Sequence, residues 1–158
     1  MYKLFKLYDF ILESVTAIFF AIMVVLLFGQ VISRYFFNFP IMWAEEVGRY
    51  LFVWIVYLGA AQAFFKRRHL AVDFLTEKLS PPYSTYLNLI LYSIIMVFLF
   101  FVFLYGLRYV GLSLSKPAYS VKLISLGWVY ASVPIGCLFM IFNIIRTIPT
   151  ILHNEERM

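Results

Sequence analysis

The densest set of residues able to do chemistry lies between Ile41 and Phe74. It opens with Trp43, Glu45, Glu46, Arg49 and Tyr50, continues through a charge-free run to Phe65, and closes with Lys66, Arg67, Arg68 and His69. Ionisable groups bordering an apolar span are costly to place, so they raise a functional question. On a helix, Trp43, Val47 and Tyr50 share one face. Glu45 and Arg49 form an i,i+4 pair with the acid first, which is the favourable order, and Glu46 can reach Arg49 at i,i+3. One chemistry this permits is a proton or cation site, with a glutamate held protonated or coordinating an ion. A second is structural: Arg49 neutralises the acids near the interface and fixes a bend. A third is that the unpaired glutamate meets a partner subunit. The cation is built in and no further acid lies along the span, so the structural reading is preferred over the ion site.

Other candidates are weaker. Gly59 and Ala63 make a small-xxx-small pair with Phe52 and Val56 on the same face, a pattern that lets two helices approach closely. His69 and Asp73 stand four apart, but two ligands are too few for a metal site, and a histidine held by a carboxylate is the simpler account. Lys66, Arg67 and Arg68 suit anchors facing anionic headgroups. Glu13 suggests a different class, a small four-helix multidrug exporter that exchanges protons for cations at a glutamate of its first helix. Here it follows Lys3, Lys6 and Asp9, so it belongs near the boundary of the span and not at mid-membrane.

The elements that must carry these residues follow from composition. Of the 158 residues 64% are hydrophobic and 13% charged, with mean hydropathy +0.90, whereas a soluble domain carries about 25% charged residues. The chain reads as an all-α integral membrane protein. A net charge of +5 with basic residues beside apolar spans sets orientation and does not call for nucleic acid. Crossing the bilayer core takes about 20 helical residues, and four stretches qualify, at approximately 11–33, 47–65, 84–107 and 125–146, forming one four-helix membrane domain over 1–158. The first is expected to be a retained span, since it is too long for a signal-peptide core. Placing the Lys66–Arg68 cluster inside puts both termini in the cytoplasm. A short interfacial helix is expected from about Pro40, running into span two with a bend, and a second over the mixed stretch from Leu70 to Leu79. Pro134 should kink span four, and the loop from Arg108 to Gly127 is weakly patterned.

Absences narrow the function. One cysteine, Cys137, rules out an intrachain disulfide, a Cys-based metal cluster and a thiol oxidase. No span holds a histidine for haem, no Ser–His or paired-aspartate arrangement lies at membrane depth, and paired interrupted helices of a transport site are missing. What remains is a four-helix slab without a solute site, neither an enzyme nor dependent on a cofactor.

The stretch QVISRYFFNFPIMWAEEVGRYLFVWIVYLGAA, followed by a basic patch, HLAVDFL and a prolyl linker, resembles the small membrane subunit (DctQ-like) of tripartite ATP-independent periplasmic (TRAP) transporters. The match is best from Gln30 to Leu75, and LGWVYASVPIG in the fourth span fits the same style. The resemblance implies a scaffold subunit of a sodium-driven importer of organic acids, of sialic acid or C4-dicarboxylate type, in the bacterial inner membrane. Its implied partners are a large DctM-like membrane subunit carrying the substrate and sodium sites, a periplasmic substrate-binding protein, and bound lipids. Trp43, Glu45, Glu46 and Arg49 match the family's W-x-E-E-x-x-R-like segment and are expected to pair and to contact the large subunit. His69 and Asp73 match its H-x-x-x-D step. Arg34 matches the S-R-Y-like end of the first span, and faces a headgroup or the periplasmic protein.

Overall fold

Long apolar runs have no choice but to satisfy their backbone internally when water is absent, and the helix is the local way to do so. The computed structural model describes residues 2–65 and 83–155, and in it the chain is all-α with four helices long and apolar enough to cross a membrane. Helix α1 spans Tyr2–Phe36, α2 Met42–Phe65, and α3 Tyr83–Ser113. The fourth span is divided into a short α4, Leu126–Tyr130, and a long α5, Ser132–Glu155.

Helix α1 begins before its apolar window and α5 continues beyond its own, into segments whose sequence includes charged residues. Helix α1 stops where Asn38 adopts a left-handed φ of 51°, a conformation Asn tolerates better than most residues. There the Ser33 hydroxyl donates to the Phe39 carbonyl at 2.6 Å. Among the described residues the expected interfacial helix before span two does not exist as a separate element. Residues 37–41 are irregular, and the acidic segment forms the first turns of α2 itself. A favourable placement of Glu45 near the positive end of the helix dipole is one physical reason. The interfacial helix expected over 70–79 lies outside the described residues, as do Lys66, Arg67, Arg68, His69 and Asp73.

Pro134, where a kink is expected, lies three residues after a break in the fourth span. It cannot donate to the Tyr130 carbonyl, and the helix is interrupted at Ala131, which keeps helical dihedrals of −60° and −23°. The interruption is one residue long.

The helices lie side by side in the order α1, α2, α5, α3, so that α1 and α3 form the edges and α5 is the plank between α2 and α3. Apolar burial does not drive helices together in lipid; close packing and interhelical hydrogen bonds do. Accordingly the core is thin and runs along α2 and α5. Leu58, Ala61, Phe64, Cys137, Met140 and Ile144 are buried there, joined by Leu12 from α1 and Tyr92 and Leu99 from α3. Close approach depends on small residues. A Cβ on Gly136 of α5 would lie 2.6 Å from the Tyr57 Cβ of α2, closer than real carbons come. Alternating direction brings the starts of α1 and α3 and the ends of α2 and α5 to one end of the slab. The α3–α4 loop lies at the other.

Candidate functional site

The loop end holds the most constrained polar group. Glu46 sits in the second turn of α2 and is only 5% exposed. Its Oε1 accepts from the Tyr50 hydroxyl at 2.5 Å and from the Tyr119 amide at 2.8 Å. Its Oε2 accepts from the Ser120 amide at 2.6 Å. One carboxylate thus satisfies two backbone donors of a loop more than seventy residues further along the chain. Hydrogen bonds to an ionised acceptor are the strong ones.

The loop so held is ordered in its own right. The Ala118 amide donates to the Ile124 carbonyl at 2.8 Å and the Leu126 amide to the Lys116 carbonyl at 2.9 Å, while Val121 and Ile124 close the turn at 2.9 Å. Pro117 and Ser125 form an isolated antiparallel bridge. The Ser125 hydroxyl donates to the Leu114 carbonyl and, as N-cap of α4, accepts from the Gly127 amide at 3.1 Å. The result is a hairpin whose Ala118 is buried, whereas Tyr119 and Leu123 are 93% and 98% exposed.

This geometry places the sequence-derived residues differently from the pairing expected of them. Arg49 is exposed and makes no ion pair with Glu45 or Glu46 among the described residues; Glu46 is turned toward the hairpin instead. Two aligned backbone amides occupy the carboxylate that a single flexible guanidinium would otherwise hold. Glu45 and Trp43 are exposed too, and Arg34 is exposed at the end of α1. Gly59 and Ala63 lie part-exposed on α2, and nothing stands within 4 Å of where a Gly59 Cβ would be.

Three further polar side chains tie the slab together. Gln62 of α2 donates to the Thr16 hydroxyl at 2.7 Å and to the Leu12 carbonyl of α1 at 3.2 Å. Fully buried Asn143 of α5 donates to the Ala61 carbonyl of α2 at 2.7 Å. At the terminal end Arg146 of α5 grips Asp9 of α1 with both nitrogens, at 2.9 and 3.1 Å, and lies 4.4 Å from the centre of the Phe5 ring. Sequence reasoning singled out none of these for a site. A lone amide within an apolar span was the available signal for Gln62 and Asn143. Nothing local foretold that residues 9 and 146 would meet.

Among the described residues no three His, Cys, Asp or Glu side chains converge as metal ligands. The hollows are apolar grooves on the slab surface. One of about 480 Å³ lies between α3 and the α4–α5 segment, bordered by Phe98, Tyr105, Tyr109 and Tyr130. Another, of about 300 Å³, lies among α1, α2 and α4 beside Trp54 and Trp128.

The polar side-chain contacts of this four-helix membrane protein described above join helices and hold one loop. The family comparison gives it a place: residues 23–153 match the model for the DctQ component of tripartite ATP-independent periplasmic transporters, and the chain belongs to that family. It is 30% identical over 142 residues to the sialic acid TRAP transporter small permease protein SiaQ of Vibrio cholerae, covering 87% of this chain and 79% of that one. It is 32% identical over 125 residues to the sialic acid TRAP transporter permease protein SiaT of Haemophilus influenzae, covering 77% of this chain but 20% of that one. It is also 40% identical over 67 residues to the C4-dicarboxylate TRAP transporter small permease protein DctQ of Vibrio cholerae, covering 42% and 29% respectively. The chain thus spans only a fifth of the SiaT relative. With its four membrane helices, it is a multi-pass inner-membrane protein.

Proposed function

We propose that this chain is the non-catalytic scaffold subunit of a sodium-driven TRAP transporter that imports an organic acid, of sialic acid or C4-dicarboxylate type. In this reading a large membrane subunit carries the substrate and sodium sites, and a periplasmic protein delivers the substrate. The supporting observation is the family match across 23–153, joined to a slab whose polar groups make helix–helix and loop contacts. Counted along the sequence, Lys and Arg flanking the terminal ends of the spans outnumber those flanking the hairpin ends eight to five; the positive-inside tendency then favours cytoplasmic termini and a periplasmic Glu46-held hairpin. The exporter reading built on Glu13 gains nothing from the fold: Glu13 lies one turn from Asp9, at the terminal end of α1.

Reconstitution tests this directly. Proteoliposomes holding this chain and its large subunit should take up the organic acid when given the binding protein and an inward sodium gradient. Omitting this chain should abolish uptake, and the chain alone should move neither solute nor sodium. Uptake by the chain alone, or undiminished uptake without it, would overturn the proposal.

A further inference from the structure

Glu45, Arg49, Phe52, Val56, Gly59 and Ala63 recur along α2 at spacings of 4, 3, 4, 3 and 4. That alternation keeps six residues on one stripe for almost the whole helix, and it is the pattern by which two helices pack at a small left-handed angle. Among the described residues, the hydrogen bonds and close approaches that join α2 to other helices come from other positions. Helix α1 meets α2 through Gln62 and Gly48, and α5 meets it through Tyr57 and Ala61. At 100° per residue all four contacts fall off the stripe. Phe52 and Val56 are about half exposed. On α2 the two glycines differ: the Cβ position of Gly48 is filled by Leu27 of α1, and that of Gly59 is open, as are those of Gly29 and Gly111 on other helices.

The charges give the stripe a polarity. The other acids described near the membrane boundary include Glu46, held by the hairpin, and Asp9, held by Arg146. Glu45 and Arg49 are exposed with no ion pair between them or to a described neighbour, at the outer end of a span. Charges beside lipid are costly unless a partner meets them. A second copy of this chain is a poor partner. Copies inserted the same way pack about an axis along the membrane normal, so each stripe residue faces its own counterpart. Glu45 would then oppose Glu45, and Arg49 would oppose Arg49, with like charges repelling.

We propose that this stripe is the seam along which one transmembrane helix of the large permease subunit packs. That helix brings bulky apolar side chains over Gly59 and Ala63, an acid opposite Arg49, and a base or hydroxyl opposite Glu45. The inference rests on the subunit reading above. The SiaT relative supports the choice of occupant, since there the matched region is one fifth of a single permease chain. The remaining four fifths are therefore tethered beside it.

The test is site-specific photo-crosslinking in membranes containing the whole complex. A benzoylphenylalanine is placed singly at positions 52, 56 and 63 on the stripe, and at 51 and 54 off it. The expected result is adducts with the large subunit from the first three positions and not from the last two. Gly59→Leu should also cut co-purification of the large subunit by about tenfold or more, with helicity and elution of the isolated chain unchanged. Adducts from 51 and 54 alone, adducts joining two copies of this chain through the stripe, or no stripe adducts in a complex that co-purifies would each overturn the seam and leave the subunit reading standing. If the unsubstituted chain fails to retain the large subunit at all, the subunit reading itself falls.

Discussion

Glu46 carries more consequence than any other single side chain described. Neighbour rules within a helix assign it to Arg49, three residues away. The structure assigns it to two amides 73 and 74 residues away. Glu46→Gln keeps the shape but replaces one acceptor oxygen with a donor nitrogen, so one loop amide loses its partner and the other loses a charged one. Buried donors left unsatisfied are costly. Amide hydrogen exchange at Tyr119 and Ser120 should accelerate by about tenfold or more, while exchange in the middle of α2 stays slow. Arg49→Ala should behave in the opposite manner: thermal unfolding of the isolated chain should be unchanged, and any loss should appear only in the complex. If Arg49→Ala destabilises the isolated chain as much as Glu46→Gln does, the local ion pair is real after all. The acidic segment was thus legible as special from sequence, but its partners were not. The hairpin it holds carries no periodic pattern, and contacts between distant segments leave no trace in local spacing. Asp9 and Arg146 tell the same story from the other end of the slab. Asp9→Ala or Arg146→Ala should each cost about 1–2 kcal/mol for a partly exposed pair, and the double variant should cost less than the sum of the two.

At the scale of the elements, hydropathy and length locate all four spans, because a bilayer imposes one length on every helix that crosses it. What they cannot supply is lateral order. Helix α5 follows α3 in sequence yet sits between α2 and α3, and the fit depends on where small residues meet large ones. Gly136 against Tyr57 is the tightest example. Gly136→Ala should destabilise the slab by about 1–3 kcal/mol through overpacking. The obstructing atom is the Tyr57 Cβ, so trimming the ring with Tyr57→Ala should not rescue the variant, whereas Tyr57→Gly should relieve the clash. Rescue by Tyr57→Ala in a thermal unfolding series would show the helices to be further apart than described. Interhelical amides contribute less: Gln62→Leu should cost about 0.5–1.5 kcal/mol, in line with hydrogen bonds between membrane helices generally.

For the molecule as a whole, helices set in a row leave much of the surface of α1 and α3 to lipid or to another protein. Few large side chains of α1 and α3 are buried, which is compatible with the scaffold role proposed above. The orientation can be checked without that assembly. A cysteine introduced by Ser120→Cys in a Cys137→Ala background should react with a membrane-impermeant maleimide from the periplasmic side of intact cells. Labelling only after the membrane is opened would invert the proposed topology.

The order α1, α2, α5, α3 also bears on how the protein is made. Helix α3 leaves the ribosome before α5, the neighbour that will join it to the rest, so it must first enter the bilayer as a solitary span. The first two helices can pair at once, through Gln62 and Gly48. The third waits. Only when the last hydrophobic segment is inserted can it slide between its predecessors, bring Arg146 to Asp9, and convert a helix pair and a lone helix into one slab. A chain truncated after the hairpin should therefore insert three spans and assemble two.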